Sequence, residues 1–397
     1  MANKVGLIFS EDFYKYNFGQ EHPLRPIRLE LTYKLMELKG LLNHPNLEII
    51  KPRLATKEEL SVVHDMNYIN CVEKYSKLPL EMFYQENPRG LFGLGTMDNP
   101  IFPGMYDASA LVVGATIVAS DLVVSNDDFN IAFNIAGGLH HAGKKKAHGF
   151  CIFNDIAVAI QKIRLRYPDL KIFYLDIDAH HGDGVQDIFY EDPNVMTVSF
   201  HQDGKTLFPG TGFLDEIGKN EGLYKSVNFP LYPGTYDEAY LELFEQYIPQ
   251  LLEKFKPDLL FTQLGVDTHF SDPLTMLGLS TTCHEKLFKL MKKYSIEYTN
   301  GKWIACGGGG YLMNVVPRSW TLALGVMLDA AVSNEIPNEW IELFKSKITD
   351  EEIPFEMRDK NLRAEENLIK NPMFAVKIDE RNREISNYIS KNILPNL

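Results

Sequence analysis

The chain has 397 residues, of which 45% are hydrophobic and 23% are charged, and this composition excludes a low-complexity or fibrous protein. Asp and Glu number 53 against 40 Lys and Arg, so the formal net charge is −13 at pH 7. A charge of this sign disfavours broad binding to nucleic acid phosphates or to an anionic membrane, and it suits a basic peptide partner better.

Short apolar runs alternate with longer amphipathic segments along most of the chain. Predicted strands cover residues 4–9, 130–135, 171–177, 195–200, 226–229, 258–264 and 303–306. Predicted helices cover residues 28–38, 108–124, 155–166, 236–255, 285–298 and 316–331. Strands that are apolar on both faces are typical of a parallel sheet covered by helices. We therefore predict an α/β fold, a doubly wound and mostly parallel sheet with helices on both faces and a site at the carboxyl ends of its strands.

The rest of the chain gives fewer signals. No linker rich in Pro, Gly or Ser interrupts the alternation, so we predict one domain over residues 1–397, with the charged segment 346–371 as a peripheral excursion. No stretch approaches the roughly 20 apolar residues of a membrane span, and no cleavage site follows the amino terminus. The four scattered cysteines favour reduced thiols over a disulfide framework. We expect a soluble, cytoplasmic protein.

The strongest chemical signal is the sequence YLDIDAHHGDG at residues 174–184. Side chains alternate along a strand, so Asp176, Asp178 and His180 point the same way, the last two at the carboxyl end. A single Asp at a strand end is often only a helix cap. Three ionisable groups in an apolar setting, however, are costly unless they are paired or bind a metal. The spacing therefore indicates metal ligation.

Three further apolar strands also end in polar residues. The sequence at 131–141 ends in His140 and His141, a pair that alone is more often exposed to solvent but here suits ligation or acid–base chemistry. Residues 259–267 end in Asp267, a candidate third ligand. Four glycines precede Tyr311. This glycine run could cradle an anion or bring the Tyr311 hydroxyl into a site, and no phosphate-loop lysine follows it. Together these strand ends predict one metal-dependent active site.

This combination of motifs resembles the zinc-dependent histone deacetylase superfamily, and most of all its bacterial acetoin-utilisation type and the class I eukaryotic enzymes. The resemblance runs from HPLRPIR at residues 22–28 to GGGGY at 307–311, and it includes GFC at 149–151 and FPGTG at 208–212. It implies an arginase/deacetylase-like fold. It also implies a hydrolase that removes acetyl or related acyl groups from the ε-amine of lysine in proteins.

The resemblance assigns a metal to the Asp-rich strand. Asp178, His180 and Asp267 would hold zinc and leave positions for water and for the substrate carbonyl. Two carboxylates and one imidazole form an oxygen-rich donor set, so Fe²⁺ is a second expected occupant.

The resemblance also assigns the acid–base residues. His140 and His141 would face the zinc-activated water, with Asp176 and Asp183 as their respective orienting carboxylates. His141 would be the main general base and then the acid that protonates the leaving amine, and Tyr311 would stabilise the oxyanion.

The same resemblance also implies residues that bind the substrate and residues that bind a monovalent cation. A narrow tube would grip the acyl-lysine stem, and its mouth would hold the substrate backbone; the residues implied are Asp98, Gly149, Phe150, Phe208, Leu274 and Gly309. A structural K⁺ or Na⁺ ion is expected beside the zinc site, at Asp176, Asp178, His180, Ser199 and Phe200. Arg28 would line an internal exit channel for the acid product.

Other activities fit parts of the pattern. A deacetylase of small acetylated amines such as polyamines would carry an acidic gatekeeper, whereas Leu274 stands at the rim. A ureohydrolase of the arginase type needs a two-metal array, for which too few carboxylates are present. A non-catalytic acyl-lysine binding protein would not need His140, His141 and Tyr311. We expect an acyl-lysine protein or peptide as partner, with no direct nucleic-acid binding and no membrane.

Overall fold

One parallel sheet organises the fold and brings the predicted site residues to a single edge. The structure, a computed structural model, describes residues 4–82, 85–360 and 372–397. Within these ranges the sheet has eight strands in the order β2-β1-β3-β8-β7-β4-β5-β6, and every pairing is parallel. The strands are β1 (Lys4–Ile8), β2 (Leu47–Ile50), β3 (Phe129–Asn134), β4 (Ile172–Asp176), β5 (Val195–Gln202), β6 (Ser226–Leu231), β7 (Leu259–Gln263) and β8 (Trp303–Cys306). The predicted α/β fold is confirmed.

Helices cover the sheet and close its core. Among them, α4 packs on β1, β3 and β8, α8 packs on β7 and β8, and α1 packs on α9. Capping residues fix where several helices begin: the side chain of Asn154 accepts the N–H of Ala157 at the start of α5, and Ser280 does the same for α8. The helices are α1 (Ile27–Leu38), α2 (Lys57–Leu60), α3 (Met66–Ser76), α4 (Met105–Ser125), α5 (Asp155–Arg166), α6 (Asp183–Ile188), α7 (Asp237–Phe255), α8 (Thr281–Thr299), α9 (Val316–Met327), α10 (Asn338–Lys347) and α11 (Pro372–Tyr388).

The segment predicted as a peripheral excursion packs more closely than expected. Met357 is fully buried, Arg358 pairs with Glu285, and the Asp359 carboxylate lies 2.7 Å from the Arg318 guanidinium. Residues 361–371 of that segment lie outside the described residues. The prediction of a single domain stays a prediction.

Helix α4 corrects one expectation from the sequence. By length and composition this helix of 21 residues could cross a membrane, although no such segment was expected. The large apolar residues of this helix alternate with Ala, Gly, Ser and Thr, so the sequence does not show an obvious apolar stretch. Most of the stretch, 72%, is buried inside the fold, as in the core helix of a water-soluble protein, so it is weak evidence for a membrane span.

Candidate active site

The four strands singled out in the sequence, β3, β8, β7 and β4, are consecutive in the sheet. Their carboxyl ends therefore open on one place, which is where ligands bind in open α/β sheets. After β4 and β7, the side chains of Asp178, His180 and Asp267 are buried, and one ligand atom from each lies within 4.8 Å of the others. His180 Nδ1 is 2.8 Å from Asp267 Oδ2 and 3.1 Å from Asp178 Oδ1.

Neutral donors hold the outer oxygens of both carboxylates. Gln263 Nε2 and the backbone N–H of Gly309 donate to Asp178 Oδ2 at 2.6 and 2.7 Å. The backbone N–H of Ala179 donates to Asp267 Oδ1 at 2.8 Å. These bonds leave Asp178 Oδ1 and Asp267 Oδ2 turned toward His180 Nδ1, which is the kind of outer support that orients metal ligands.

The charge balance of this cluster fits a divalent cation. Burial, reinforced by the neighbouring Asp178, raises the pKa of Asp267 to about 7. Burial also opposes the ionisation of Asp178, but His140 and His180 outweigh it and hold the pKa of Asp178 well below its usual range. The protein thus buries two carboxylates and an imidazole side by side, an arrangement that a bound cation neutralises. The donor set of two oxygens and one nitrogen suits zinc or ferrous iron.

Two histidine–carboxylate pairs stand beside this cluster. His140 Nδ1 lies 2.7 Å from Asp176 Oδ2, and His141 Nδ1 lies 2.6 Å from Asp183 Oδ1. The Nε2 atoms of the two rings face each other at 3.0 Å, so one proton between them serves both. The structure therefore brings together the pairs that the sequence resemblance implied.

The two imidazoles differ sharply in basicity. Burial disfavours the charged form of His140, but Asp176 and Asp178 outweigh it and raise its pKa to about 9. Burial and the charge on His140 lower the pKa of His141 to about 3. His141 is therefore the neutral ring, whose Nε2 accepts a hydrogen bond from Nε2 of the protonated His140. Two neighbouring groups whose pKa values are shifted in opposite directions are typical of an acid and a base in catalysis.

Tyr311 follows the glycine run after β8, and buried contacts fix its backbone. Its N–H donates to the buried carboxylate of Asp272 at 3.0 Å. The Arg28 guanidinium donates to the carbonyls of Gly308 and Gly310 at 2.7 and 3.2 Å, and both glycines adopt positive φ. Burial, together with Asp267, raises the pKa of Tyr311 well above its usual value, so the phenol stays a hydrogen-bond donor.

A cavity of about 220 Å³ reaches these groups. Gly149 and Phe150 form one part of its wall with φ of 51° and 67°, and a Cβ on Gly149 would stand 2.5 Å from His141 Cδ2. Only glycine lets the backbone pass this close. The residues that line the cavity are Asp98, His141, Gly149, Phe150, His180, Leu207, Phe208, Leu274 and Tyr311.

Some predicted residues lie elsewhere. Gly309 is absent from the described lining of this cavity, and its N–H holds Asp178 instead. Ser199 hydrogen-bonds His201 Nδ1 at 2.8 Å, and the ring of Phe200 stacks on Phe229, which leaves the Phe200 carbonyl as its only ligand atom. The monovalent cation site stays a prediction.

Sequence reasoning missed three residues that support the site. Gln263 holds Asp178, Asp272 holds Tyr311, and His148 approaches Asp183, all by side chains from other segments. Gln263 stands one position before Leu264 at the end of β7, where a polar residue in an apolar strand was a signal. His148, one residue before the Gly149–Phe150 wall, was a second signal.

Comparisons with known proteins agree with this geometry. Residues 22–327 match the histone deacetylase domain. The chain is 43% identical over 337 residues to the acetoin utilization protein AcuC of Bacillus subtilis (strain 168), covering 84% of each chain, and 37% identical over 346 residues to AcuC of Staphylococcus aureus (strain Mu50), covering 87% of each.

Solved structures show the same similarity. A crystal structure of an HDAC homolog from Aquifex aeolicus superposes with a TM-score of 0.79 and 33% identity, covering 90% of this chain and 95% of that chain. An HDAC homolog complexed with SAHA superposes with the same TM-score and 32% identity, covering 93% and 99%.

Proposed function

The chain belongs to the histone deacetylase family, which supports a deacetylase activity, and we propose that it is a metal-dependent hydrolase of ε-N-acyl-lysine in proteins or peptides. One observation carries the proposal: His141, His180 and Tyr311, a base, a candidate metal ligand and an oxyanion donor, all line the same cavity of about 220 Å³. A cavity of this size, lined by Phe150 and Phe208, suits an aliphatic stem that ends in a small amide.

The substrate contacts follow from the cavity lining. The faces of Phe150 and Phe208 offer apolar surface to the four methylenes of a lysine side chain. Asp98 is exposed at the mouth, where its carboxylate is free to accept backbone N–H groups of a peptide. Leu274 lines the same cavity without adding a charge. Asp98 is thus the one acidic residue in the described lining of this cavity, and Leu274 adds no second carboxylate for the far ammonium group of an acetylated polyamine.

The chemistry divides among residues of this chain. His141, oriented by Asp183, takes a proton from the attacking water and then gives one to the ε-amine of lysine as it leaves. His140, charged and paired with Asp176, stabilises the negative charge that develops next to it. The Tyr311 phenol donates a hydrogen bond to the oxygen of the former carbonyl. Asp178, His180 and Asp267 would hold a zinc or ferrous ion, which supplies Lewis-acid polarisation of the amide and of the water.

The first experiment measures acetate release from acetyl-lysine peptides by protein stripped of metal and refilled with Zn²⁺ or Fe²⁺. We expect turnover that depends on the added metal. His141→Ala should lower kcat by about 10²- to 10⁴-fold and Tyr311→Phe by about 10²- to 10³-fold, because each removes a group that acts on the transition state. Tyr298→Phe, half-buried on α8, is the matched control and should keep full activity.

Two other outcomes would replace the proposal. Turnover of acetylated polyamines without turnover of peptides would indicate a deacetylase of small amines. Absence of turnover with every metal and both substrate classes, with peptide binding retained, would indicate a non-catalytic acyl-lysine binding protein.

A further inference from the structure

We propose that His22 is a positioning residue that joins two parts of the cavity, the exposed Asp98 at its mouth and the Phe150 wall. The inference rests on the proposed function. His22 is the first residue of the sequence HPLRPIR, and it is buried, with 7% of its surface exposed. It is not among the described residues that line the cavity, yet its ring contacts both Asp98 and Phe150, so it acts on a substrate through them.

The hydrogen bonds of the His22 ring fix its tautomer. The backbone N–H of Leu24 donates to His22 Nδ1 at 3.1 Å, so this nitrogen carries an electron pair. Burial lowers the pKa of His22, which favours the neutral ring. The ring hydrogen is therefore on Nε2, which lies 3.3 Å from the backbone carbonyl of Asp98 and donates to it. This bond joins segments that are 76 residues apart in the sequence.

The loop that carries Asp98 is closed by its own bonds and exposed at Asp98 itself. The backbone N–H of Gly95 donates to the carbonyl of Asn99 at 2.8 Å, and the N–H of Asn99 donates to Thr96 Oγ1 at 3.1 Å. The side chain of Asp98 is free at the surface. The bond from His22 adds a contact from outside the loop, at the residue whose carboxylate would hold the peptide backbone.

The other contact of His22 is with the cavity wall. Its ring centre lies 4.5 Å from that of Phe150, edge to face at 75°, and 4.5 Å from that of Phe18. Phe150 has a positive φ of 67°, which is unusual for a bulky residue, so its position depends on the contacts around it. The Tyr16 hydroxyl donates to the Phe150 carbonyl at 2.8 Å and accepts the N–H of Ile152 at 3.0 Å. Tyr16 thus holds the backbone of Phe150, and His22 packs on its ring.

The two contacts of His22 act on different parts of a substrate. Asp98 would accept backbone N–H groups of a peptide, whereas Phe150 would contact the aliphatic stem of the acyl-lysine. Loss of the bond to Asp98 should therefore weaken binding only of a peptide that has these N–H groups. Loss of the ring should weaken binding of any substrate with the same stem, because the wall is no longer held in place. A residue that only stabilised the fold would not distinguish between substrates.

The test uses an acetyl-lysine peptide and its ester analogue, in which oxygen replaces the backbone N–H groups of the acetyl-lysine and of the next residue. In zinc-loaded His22→Phe, which keeps an aromatic ring and loses the bond to Asp98, we expect KM for the peptide to rise about 3- to 10-fold, the effect of one hydrogen bond. KM for the analogue and kcat for both should stay within twofold of wild type. In the Asp98→Ala background, His22→Phe should add nothing, because the carboxylate through which it acts is gone.

His22→Gln is the complementary variant. Its amide keeps an N–H donor near the position of Nε2 and removes the ring, so KM should rise by a similar factor for the peptide and for the analogue. If His22→Phe does not fold, as judged by far-UV circular dichroism, this variant alone decides.

His44→Phe is the matched control. His44 lies between α1 and β2, is absent from the described cavity lining, and accepts the N–H of Asn46 on Nδ1 at 3.3 Å, as His22 does with Leu24. His44→Phe removes the same kind of local bond, and both KM values should stay as in wild type.

A binding measurement makes the result independent of turnover. Fluorescence anisotropy of the labelled peptide and analogue should give Kd values that change by the same factors as KM. The inference would be overturned by an equal loss on both substrates in His22→Phe, by a loss confined to the peptide in His22→Gln, by no loss in either, or by a loss in His44→Phe. Binding by the wild type without turnover would overturn the proposed hydrolase, and anisotropy would still decide on His22. A wild type that binds neither compound would overturn both proposals.

Discussion

Gln263 illustrates how one uncharged side chain fixes a candidate metal ligand. Its Nε2 donates to Asp178 Oδ2 at 2.6 Å, and its Oε1 accepts the backbone N–H of Gly265 at the same distance, so both ends of the amide are held. Gln263→Met keeps the length of the side chain and removes both bonds. We expect zinc affinity to fall by about 10- to 100-fold, because Asp178 loses a donor that orients it. Competition of the metal-free protein with a fluorescent chelator measures this change.

The control for this prediction is a chemically identical substitution away from the site. Gln250 is exposed on α7, and within the described residues its side chain hydrogen-bonds the carbonyl of Gln246 one turn back, so Gln250→Met should leave zinc affinity unchanged. Equal affinities for wild type and Gln263→Met would show that Asp178 needs no such support.

Site residues could be predicted from the sequence where they directly follow an apolar strand. They could not be predicted where their role depends on a partner from a distant segment. Asp178 and His180 stand in one short run, and Asp267 ends another apolar strand, so their chemistry is visible in the order of residues. Gln263 holds an Asp that is 85 residues away. Nothing in its own strand indicates that partner, because register between strands is set by tertiary packing.

Elements were predictable where they are fully buried. The bounds of β8 and of α5 agree with the sequence, since both have continuous apolar faces. Strand β2 was missed because its four residues are half exposed at the sheet edge, and no apolar run marks them. Helices α10 and α11 were missed because charged residues mask their apolar sides.

His64 joins two elements through its ring, and this makes stability depend on pH. The N–H of Asn154, the residue that caps α5, donates to His64 Nε2 at 3.0 Å, and His64 Nδ1 lies 3.1 Å from the Gly143 carbonyl. Because Nε2 accepts, the ring is neutral and Nδ1 donates. Burial lowers its pKa to about 4, against about 6.5 in the unfolded chain. The unfolded state therefore takes up a proton first, and stability that is complete above pH 6.5 declines as the pH falls toward 4.

We expect this effect in denaturant unfolding of wild type and His64→Gln. Between pH 7 and pH 5 the difference in unfolding free energy between the two proteins should shrink by about 2 kcal/mol, because only the wild type loses the contribution of the neutral ring. His44→Gln should show no such change. A difference that stays constant between the two pH values would contradict the neutral, buried His64.

The whole molecule extends beyond the residues that match the family domain, and its carboxyl-terminal helix closes the far side of the sheet. Helix α11 packs on α7 and on β6, the edge strand opposite β2. Ile378 and Ile385 on this helix are fully buried. Covering an edge strand in this way protects its unpaired backbone groups from other chains. The helix therefore belongs to the structural unit that supports β5 and β6.

Arg381 is the polar contact that fastens α11 to this edge. Its Nε donates to the carbonyl of Pro230 in β6 at 2.7 Å, and a terminal nitrogen lies 2.7 Å from Asp203 Oδ2 just beyond β5. The side chains of Arg381 and Asp203 are each only 12% exposed. Arg381→Met would keep the apolar stem and leave the Asp203 carboxylate enclosed without its partner. We expect the unfolding free energy to fall by about 2 to 3 kcal/mol, since breaking a largely buried pair strands one charge.

Denaturant unfolding of Arg381→Met beside Arg383→Met tests this role. Arg383 lies on the same helix but is exposed, and among the residues that the structure describes its Nε donates to the carbonyl of Asp379 on its own helix. Arg383→Met should therefore change the unfolding free energy by less than about 0.5 kcal/mol. If both variants lose the same stability, the effect belongs to the helix charge as a whole and not to the contact with β6. A loss confined to Arg381→Met, with kcat/KM at 25 °C unchanged, would show that α11 stabilises the sheet at a distance from the site and takes no part in the reaction.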